Sequence, residues 1–333
     1  MPTCIDSKFI YVWSGIDFPY VNLLSVLSTA KCHPEAEINV YVFGDRPRTV
    51  WFDQLSSIPR VSIVHTTPHD LFRELPSHLE RVADTFERLP SSALSAKSNI
   101  LRYALLFLHG GVYLDFDVLV VRAMDDLLHD EAFVGEELVW ADDEARLLGR
   151  RWIYLAPRNI LWLLSHCAMW VDSHLFGGAM RLADRLRPSF GAWSRYQMNN
   201  AVMGAVKKSP LIEELLVRAI DADTSVRYAT GPTLVDNVLR DNPTIAVRRP
   251  ADDFYAVPPG QTYRLFFDQR LTLPASAYLI HYAASNHAGF VAEYHPMQQF
   301  EYEEETVLGR ILRELNAEFS KLDLPQHVLV NHA

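Results

Sequence analysis

Apolar residues open the chain in short runs whose period changes in a regular order. Residues 9–13 (FIYVW) form a β-rich run, and residues 21–32 (VNLLSVLSTAKC) carry apolar side chains at helical spacing. Two β-branched runs follow at 38–43 (INVYVF) and 61–66 (VSIVHT). Strand, helix and strand at this spacing predict a right-handed crossover and a parallel sheet. Residues 68–91 are polar, with helical pieces and no strand. The stretch 91–110 predicts a long helix, with Ser91 or Ser92 as N-cap and Gly110 as C-cap. Its apolar stripe is Leu94, Leu101, Ala104, Leu105 and Leu108. Residues 112–121 (VYLDFDVLVV) then predict a strand that follows at once.

Beyond residue 121 the pattern weakens. Residues 131–137 (EAFVGEE) predict a short strand, and 141–195, rich in Trp and Arg, predict a helical insertion. Residues 196–220 predict a loop or strand leading into an amphipathic helix. A turn and helix are expected at 228–240, and a late strand ending in a polar loop at 276–290. No repeat or Gly/Ser linker divides the chain, so one α/β domain with a helical insertion is expected.

Composition narrows the class. Of 333 residues, 49% are apolar and 22% charged, as in ordinary globular proteins. A net charge of −10 argues against nonspecific nucleic-acid binding, which needs a basic surface. Cys4, Cys32 and Cys167 lie far apart and form neither a disulfide framework nor a zinc motif. The N-terminal residues show no signal-peptide pattern, and the longest apolar stretch outside the strands, 159–171, is too short to span a bilayer. A cytoplasmic location is the expectation.

Within the predicted strand, Asp115 and Asp117 are set in an apolar run directly after two glycines. Residues i and i+2 of a strand face the same way, so both carboxylates are expected to reach one object. In open α/β sheets ligands gather at the carboxyl ends of strands. Two carboxylates there suit a hard cation such as Mg2+ or Mn2+, whose open positions accept diphosphate oxygens. An Asp-x-Asp after an apolar strand also serves phosphatases with an aspartate nucleophile, but that motif normally sits on the first strand of its domain. On the preceding helix Asn99 and Arg102 share a face away from the apolar stripe, where Arg102 is either a surface charge or a phosphate contact.

Residues 97–121 together resemble the signature of the DXD-containing sugar transferases of glycosyltransferase family 32. Ser98, Arg102, Tyr103, Gly110, Gly111, Tyr113, Asp115 and Asp117 stand at the matching spacing. One position departs: Asn99 stands where the family has an acidic residue expected to hold donor hydroxyls. The resemblance implies a GT-A type, Rossmann-like mixed sheet flanked by helices. It divides the chain into a nucleotide-sugar-binding half, 1–125, and an acceptor side, 126–333.

The implied reaction is retaining transfer of a hexose-type sugar from a UDP- or GDP-sugar, with Mn2+ or Mg2+, to a glycan, lipid, small molecule or protein. Asp115 and Asp117, with His281, are the implied metal ligands. Asp115, Asp117, Arg102 and Asn200 are the implied catalytic residues. Trp13, Asn99, Arg102, Tyr113, Asn199 and His287 are the implied substrate contacts. A late Asn286-His287 replaces the family's Ser-Trp. Besides the phosphatase, a non-catalytic sugar-nucleotide-binding protein is the remaining alternative. For the insertion, an acceptor groove, a dimer contact, a membrane-surface patch and a buried helix pair all stay open.

Overall fold

The first 66 residues fold as their alternation predicts. In the computed structural model, β1 (Lys8–Trp13), α1 (Tyr20–Cys32), β2 (Glu37–Phe43) and β3 (Val61–Thr66) follow one another. β1 pairs parallel with β2, and β2 with β3. The residues described are 4–140, 194–223, 229–258, 262–284 and 306–320, with scattered helical positions between 160 and 185. Short helices α2 (Val50–Asp53), α3 (Pro68–Arg73) and α4 (Arg81–Arg88) precede the long α5 (Leu94–His109).

The remaining elements are β4 (Gly111–Leu114), β5 (Val118–Val120), β6 (Ala132–Trp140) and β7 (Ser194–Ala205). They are followed by α6 (Pro210–Ile220), α7 (Pro232–Asp241), β8 (Val247–Arg249), α8 (Ala251–Phe254), α9 (Tyr263–Phe267), β9 (Leu279–His281) and α10 (Val307–Phe319). The main sheet has the order β3-β2-β1-β4-β7-β6-β8, mixed because β7 runs antiparallel to β4 and β6. One core, with α1 and α10, covers one face; a second, with α5, α6 and α7, covers the other. The expected mixed α/β sheet flanked by helices is therefore present.

Three local expectations are corrected. Helix α5 starts after Ala93 with no side-chain cap, not at Ser91 or Ser92. Leu94, placed in the stripe, is 55% exposed because the first turn projects beyond the core. From Asn99 to Leu108 the helix is instead buried on every side, since β1, β4 and β7 lie on one flank and α3, α4 and α6 on the others.

The third correction concerns residues 112–121, which are not one strand. β4 ends at Leu114, Asp115–Asp117 turn, and β5 leaves the main sheet to pair antiparallel with β9. The Val118 N–H donates to the Asp115 carbonyl at 3.2 Å, closing the turn. A flat strand would have put both carboxylates on a buried sheet face; the turn moves them to the strand end.

The glycines before β4 set its position. Gly110 ends α5 with φ +66°, a conformation costly for other residues. Gly111 has φ +109°, and a Cβ there would lie 2.5 Å from the Lys8 carbonyl oxygen. Gly111→Ala is therefore expected to cost about 3 kcal/mol or more, through strain plus a clash with backbone that cannot yield. Urea unfolding would show it; an unchanged midpoint would mean that β4 is free to shift away from β1.

Candidate functional site

The site is built where β4 ends beside an irregular part of β7. Val134 of β6 pairs with Met203, but Gly135 pairs with Asn199, so β7 bulges across residues 200–202. The bulge withholds backbone carbonyls from β6. The Asn200 carbonyl accepts from Arg102 Nη1, and the Ala201 carbonyl accepts from the Asp115 N–H at 2.9 Å. Asn199 Oδ1 accepts from the Ala201 N–H at 2.8 Å, bracing the bulge from within. Asn199 and Asn200 are thus residues of β7.

Arg102 is 4% exposed, which removes the reading of it as a surface charge. Its Nη2 donates to Asp115 Oδ1 at 2.8 Å, and its guanidinium lies 4.3 Å from the centre of the Tyr113 ring. Tyr113 donates to the same Asp115 oxygen at 2.6 Å. Both partners thus use Oδ1, and Oδ2 makes no hydrogen bond among the described residues. The Arg102 Nε–H finds no acceptor there either. Asn200 Nδ2 donates to Asn99 Oδ1 at 2.9 Å and to the Tyr103 hydroxyl at 3.0 Å, and that hydroxyl donates to the Thr230 carbonyl. Gly231 allows this packing: a Cβ there would meet Asn99 Nδ2 at 2.7 Å.

Asp117 has a separate set of partners. Its Oδ2 accepts from the Ala284 N–H at 3.0 Å, and its Oδ1 lies 3.3 Å from His281 Nε2. The other ring nitrogen of His281 is 3.7 Å from Glu137 Oε1. Glu137, buried on β6, also accepts from Asn199 Nδ2. Trp13 ends β1 half-buried and packs edge-on against Phe116, the residue between the two aspartates, with ring centres 5.4 Å apart. Asp115, Asp117, Arg102, Tyr113, Asn99, Asn199, Asn200, His281 and Trp13 therefore converge. His287 and most of 141–195 lie outside the described residues.

Electrostatics separate the two aspartates. Burial pushes the Asp115 carboxyl above its ordinary value; Arg102 and Tyr113 offset this only in part, and the Asp117 charge adds to it. For Asp117 burial acts in the same direction but is outweighed by His281 and the Ala284 N–H, so its carboxyl is lowered. Burial alone would lower His281, yet Asp117 and Glu137 together hold it well above 6.5. The two carboxylates on either side of the His281 ring, 3.3 and 3.7 Å away, thus favour its charged form.

That assignment carries a pH prediction. A raised histidine contributes stability fully present below its unfolded value of 6.5 and lost as pH rises through its folded value. The lowered Asp117 contributes stability present above its unfolded 3.8 and lost as pH falls through its folded value. The pair is therefore complete between about pH 4 and 6.5 and weakens on the alkaline side. Asp115, shifted upward, has the opposite sign just above pH 3.8. The stability difference between wild type and His281→Gln, from urea unfolding, is expected to shrink from pH 6 towards pH 10. A constant difference would mean that no ion pair forms.

The donor set suits a divalent cation in one specific way. Among the described residues no group of three or more His, Cys, Asp or Glu side chains is arranged to hold a metal ion. Mg2+ and Mn2+ need fewer: one or two carboxylates suffice when substrate phosphates and water complete the shell. The free Oδ2 of Asp115 and the ionised Asp117 fit that role. His281 Nε2 stands 3.3 Å from Asp117 Oδ1, beside that pair.

Glu137 was missed by sequence reasoning. Its signal was present, an acidic residue two positions after Gly135 inside an apolar strand, the same kind of anomaly that singled out Asp115. Tyr255 was also missed; its ring stands perpendicular to His281 with centres 5.5 Å apart.

Comparison with known proteins agrees with this location. Residues 28–134, which include Arg102, Asp115 and Asp117, match the family described as glycosyltransferase sugar-binding region containing DXD motif. Human lactosylceramide 4-alpha-galactosyltransferase is 30% identical over 118 residues, covering 32% of this chain and 32% of that protein. The gorilla protein of the same name gives 30% over 118 residues, with 32% and 35% covered. The chain thus spans about a third of the length of the curated relatives it matches. Among solved structures, the galactosyltransferase LgtC in complex with donor and acceptor sugar analogs covers 96% of this chain and 98% of its own. Its identity is 13% and its TM-score 0.45. The PaToxG glycosyltransferase covers 72% and 71%, at 15% identity and a TM-score of 0.43.

Proposed function

Because residues 28–134 match the glycosyltransferase sugar-binding region containing the DXD motif, we propose that the chain moves a sugar from a nucleoside diphosphate to an acceptor hydroxyl, with retention at the anomeric carbon. The observation that carries this reading is the turn Asp115–Asp117 at the end of β4, where the two carboxylates face different partners. Asp117 and the free oxygen of Asp115 would hold Mn2+ or Mg2+, which supplies Lewis-acid neutralisation of the departing diphosphate. Arg102 keeps Asp115 oriented and adds positive charge behind it. The network Asn200–Asn99–Tyr103 presents neutral hydrogen-bonding groups to the donor sugar. Trp13, edge-on to Phe116, offers a face for the base. Glu137, the further carboxylate described beside the two aspartates, is committed to Asn199 and His281 rather than poised as a covalent nucleophile. Front-face attack assisted by the leaving phosphate is the matching course.

The test is thermal unfolding with UDP or GDP, each with Mn2+, Mg2+ or EDTA. A nucleotide at 100-fold above its dissociation constant adds about 2.7 kcal/mol to the native state. Cation-dependent stabilisation by one nucleotide names the donor base. An anomerically inverted product would sink the retaining mechanism. Release of phosphate from phosphoesters, with a covalent adduct on Asp115, would favour the phosphatase. Stabilisation without donor turnover would favour the binding protein.

A further inference from the structure

Strand β6 carries a buried carboxylate that takes no part in the reaction above. Glu137 is 5% exposed and pairs across the sheet with Gln197 of β7. A carboxylate out of water destabilises a protein unless hydrogen bonds and a counter-charge meet it, and an apolar side chain would fill the same place at lower cost. Among the described residues, the side chains that meet Glu137 are Asn199 and His281, and both belong to the site.

Two arms leave this one residue. Along the first, Asn199 Nδ2 donates to Glu137 Oε2, and Asn199 Oδ1 accepts from the Ala201 N–H at 2.8 Å. The Ala201 carbonyl in turn accepts from the Asp115 N–H at 2.9 Å. Along the second, Glu137 Oε1 stands 3.7 Å from His281 Nδ1, and His281 Nε2 stands 3.3 Å from Asp117 Oδ1. The two oxygens of one carboxylate thus reach the two ends of the Asp115–Asp117 turn. Register makes this reach possible. With Gln197 directly opposite, Asn199 is the diagonal neighbour of Glu137 on the same sheet face. The His281 ring also meets Tyr255, perpendicular to it with centres 5.5 Å apart. A Cβ at Gly135 would lie 2.8 Å from Tyr255 Cε2, so glycine there lets Tyr255 come up against the strand.

A carboxylate that served only the fold of β7 would need the Asn199 arm alone. A histidine beside a cation, by contrast, is oriented by the group on its other ring nitrogen, commonly a carboxylate. Glu137 holds that position on His281. We propose that Glu137 is a positioning residue for sugar transfer: one oxygen braces the bulge behind Asp115, the other fixes the His281 ring against Asp117, and the two aspartates are thereby set towards one cation. The inference rests on the reading of that turn as the cation site.

The experiment is isothermal titration of Mn2+ into the full chain saturated with UDP or GDP, beside nucleotide titration and melting in EDTA. Glu137→Gln keeps the size of the side chain and an oxygen for Asn199, but removes the charge facing His281. It should weaken Mn2+ binding at least about tenfold, with melting and nucleotide binding in EDTA close to wild type. Glu136→Gln, which removes the same charge from the next, half-buried position, should leave Mn2+ binding unchanged. His281→Gln and His281→Gln/Glu137→Gln should bind Mn2+ equally weakly, because that arm acts through the ring. Asn199→Ala, which cuts the other arm, should weaken Mn2+ binding further when added to Glu137→Gln. Unchanged Mn2+ binding in Glu137→Gln would overturn the proposal while leaving the proposed transfer standing. Equal loss of nucleotide binding in Mn2+ and in EDTA would also overturn it, in favour of a brace for the fold alone. A wild type that takes nucleotide equally well in Mn2+ and in EDTA would instead overturn the cation reading on which the proposal rests.

Discussion

Asp117→Asn is expected to remove cation-dependent stabilisation by the nucleotide and to lower sugar transfer by about 10²- to 10³-fold, the usual effect of deleting one preorganised charge contact at a leaving group. The fold should suffer much less. The amide keeps an oxygen for the Ala284 N–H, which Asp117 Oδ2 now accepts at 3.0 Å. His281 loses one carboxylate but keeps Glu137 at 3.7 Å, so its proton is held less firmly and not abandoned. The expected pattern is therefore a large loss of rate with a small loss of melting temperature. Equal losses of nucleotide binding with and without the cation would point elsewhere: Asp117 would then be holding the β5–β9 junction rather than the diphosphate. Isothermal titration with UDP and GDP, in Mn2+ and in EDTA, separates the two.

Much of this site was legible because its members violate local patterns. Carboxylates in an apolar run, with a double glycine before them, drew notice to Asp115 and Asp117. Gly111 proved to be where β4 passes within a Cβ's reach of Lys8, and Gly110 where the chain passes as close to Lys207. What stayed hidden depends on contacts distant in sequence. The bulge on β7 arises from registers with β4 and β6, and no periodicity in residues 194–205 announces it. The break of 112–121 into two strands in different sheets depends on β9, more than 150 residues later. Arg102 read equally as a surface charge or a phosphate contact, because helical spacing reports only the apolar stripe. Its burial follows from β4 and β7 closing over a face that the helix alone does not mark as inward. Glu137 could have been caught by asking of every strand the question asked of the Asp-x-Asp run.

Arg102→Met should be the most destabilising change at the site, by about 3 kcal/mol. Methionine fills similar space with a flexible apolar chain, so packing alone should cost little. The loss is electrostatic: the Asn200 carbonyl loses its donor, and Asp115, only 28% exposed, loses the counter-ion that offsets its burial. The sign of its pH dependence follows. Without the guanidinium the Asp115 carboxyl is pushed further up, so the variant should regain stability as the pH falls and that carboxyl takes a proton. Urea unfolding at pH 5 and pH 8 should show the gap to wild type narrowing at the lower value. A double variant makes the attribution stricter. Arg102→Met/Asp115→Asn removes both charges at once, and breaking a buried pair costs far more than replacing it whole. The double variant should therefore be more stable than Arg102→Met alone while remaining inactive in transfer. If it is as unstable as the single one, the damage comes from the lost bond to the bulge carbonyl, and Arg102 serves the fold of β7 before it serves Asp115.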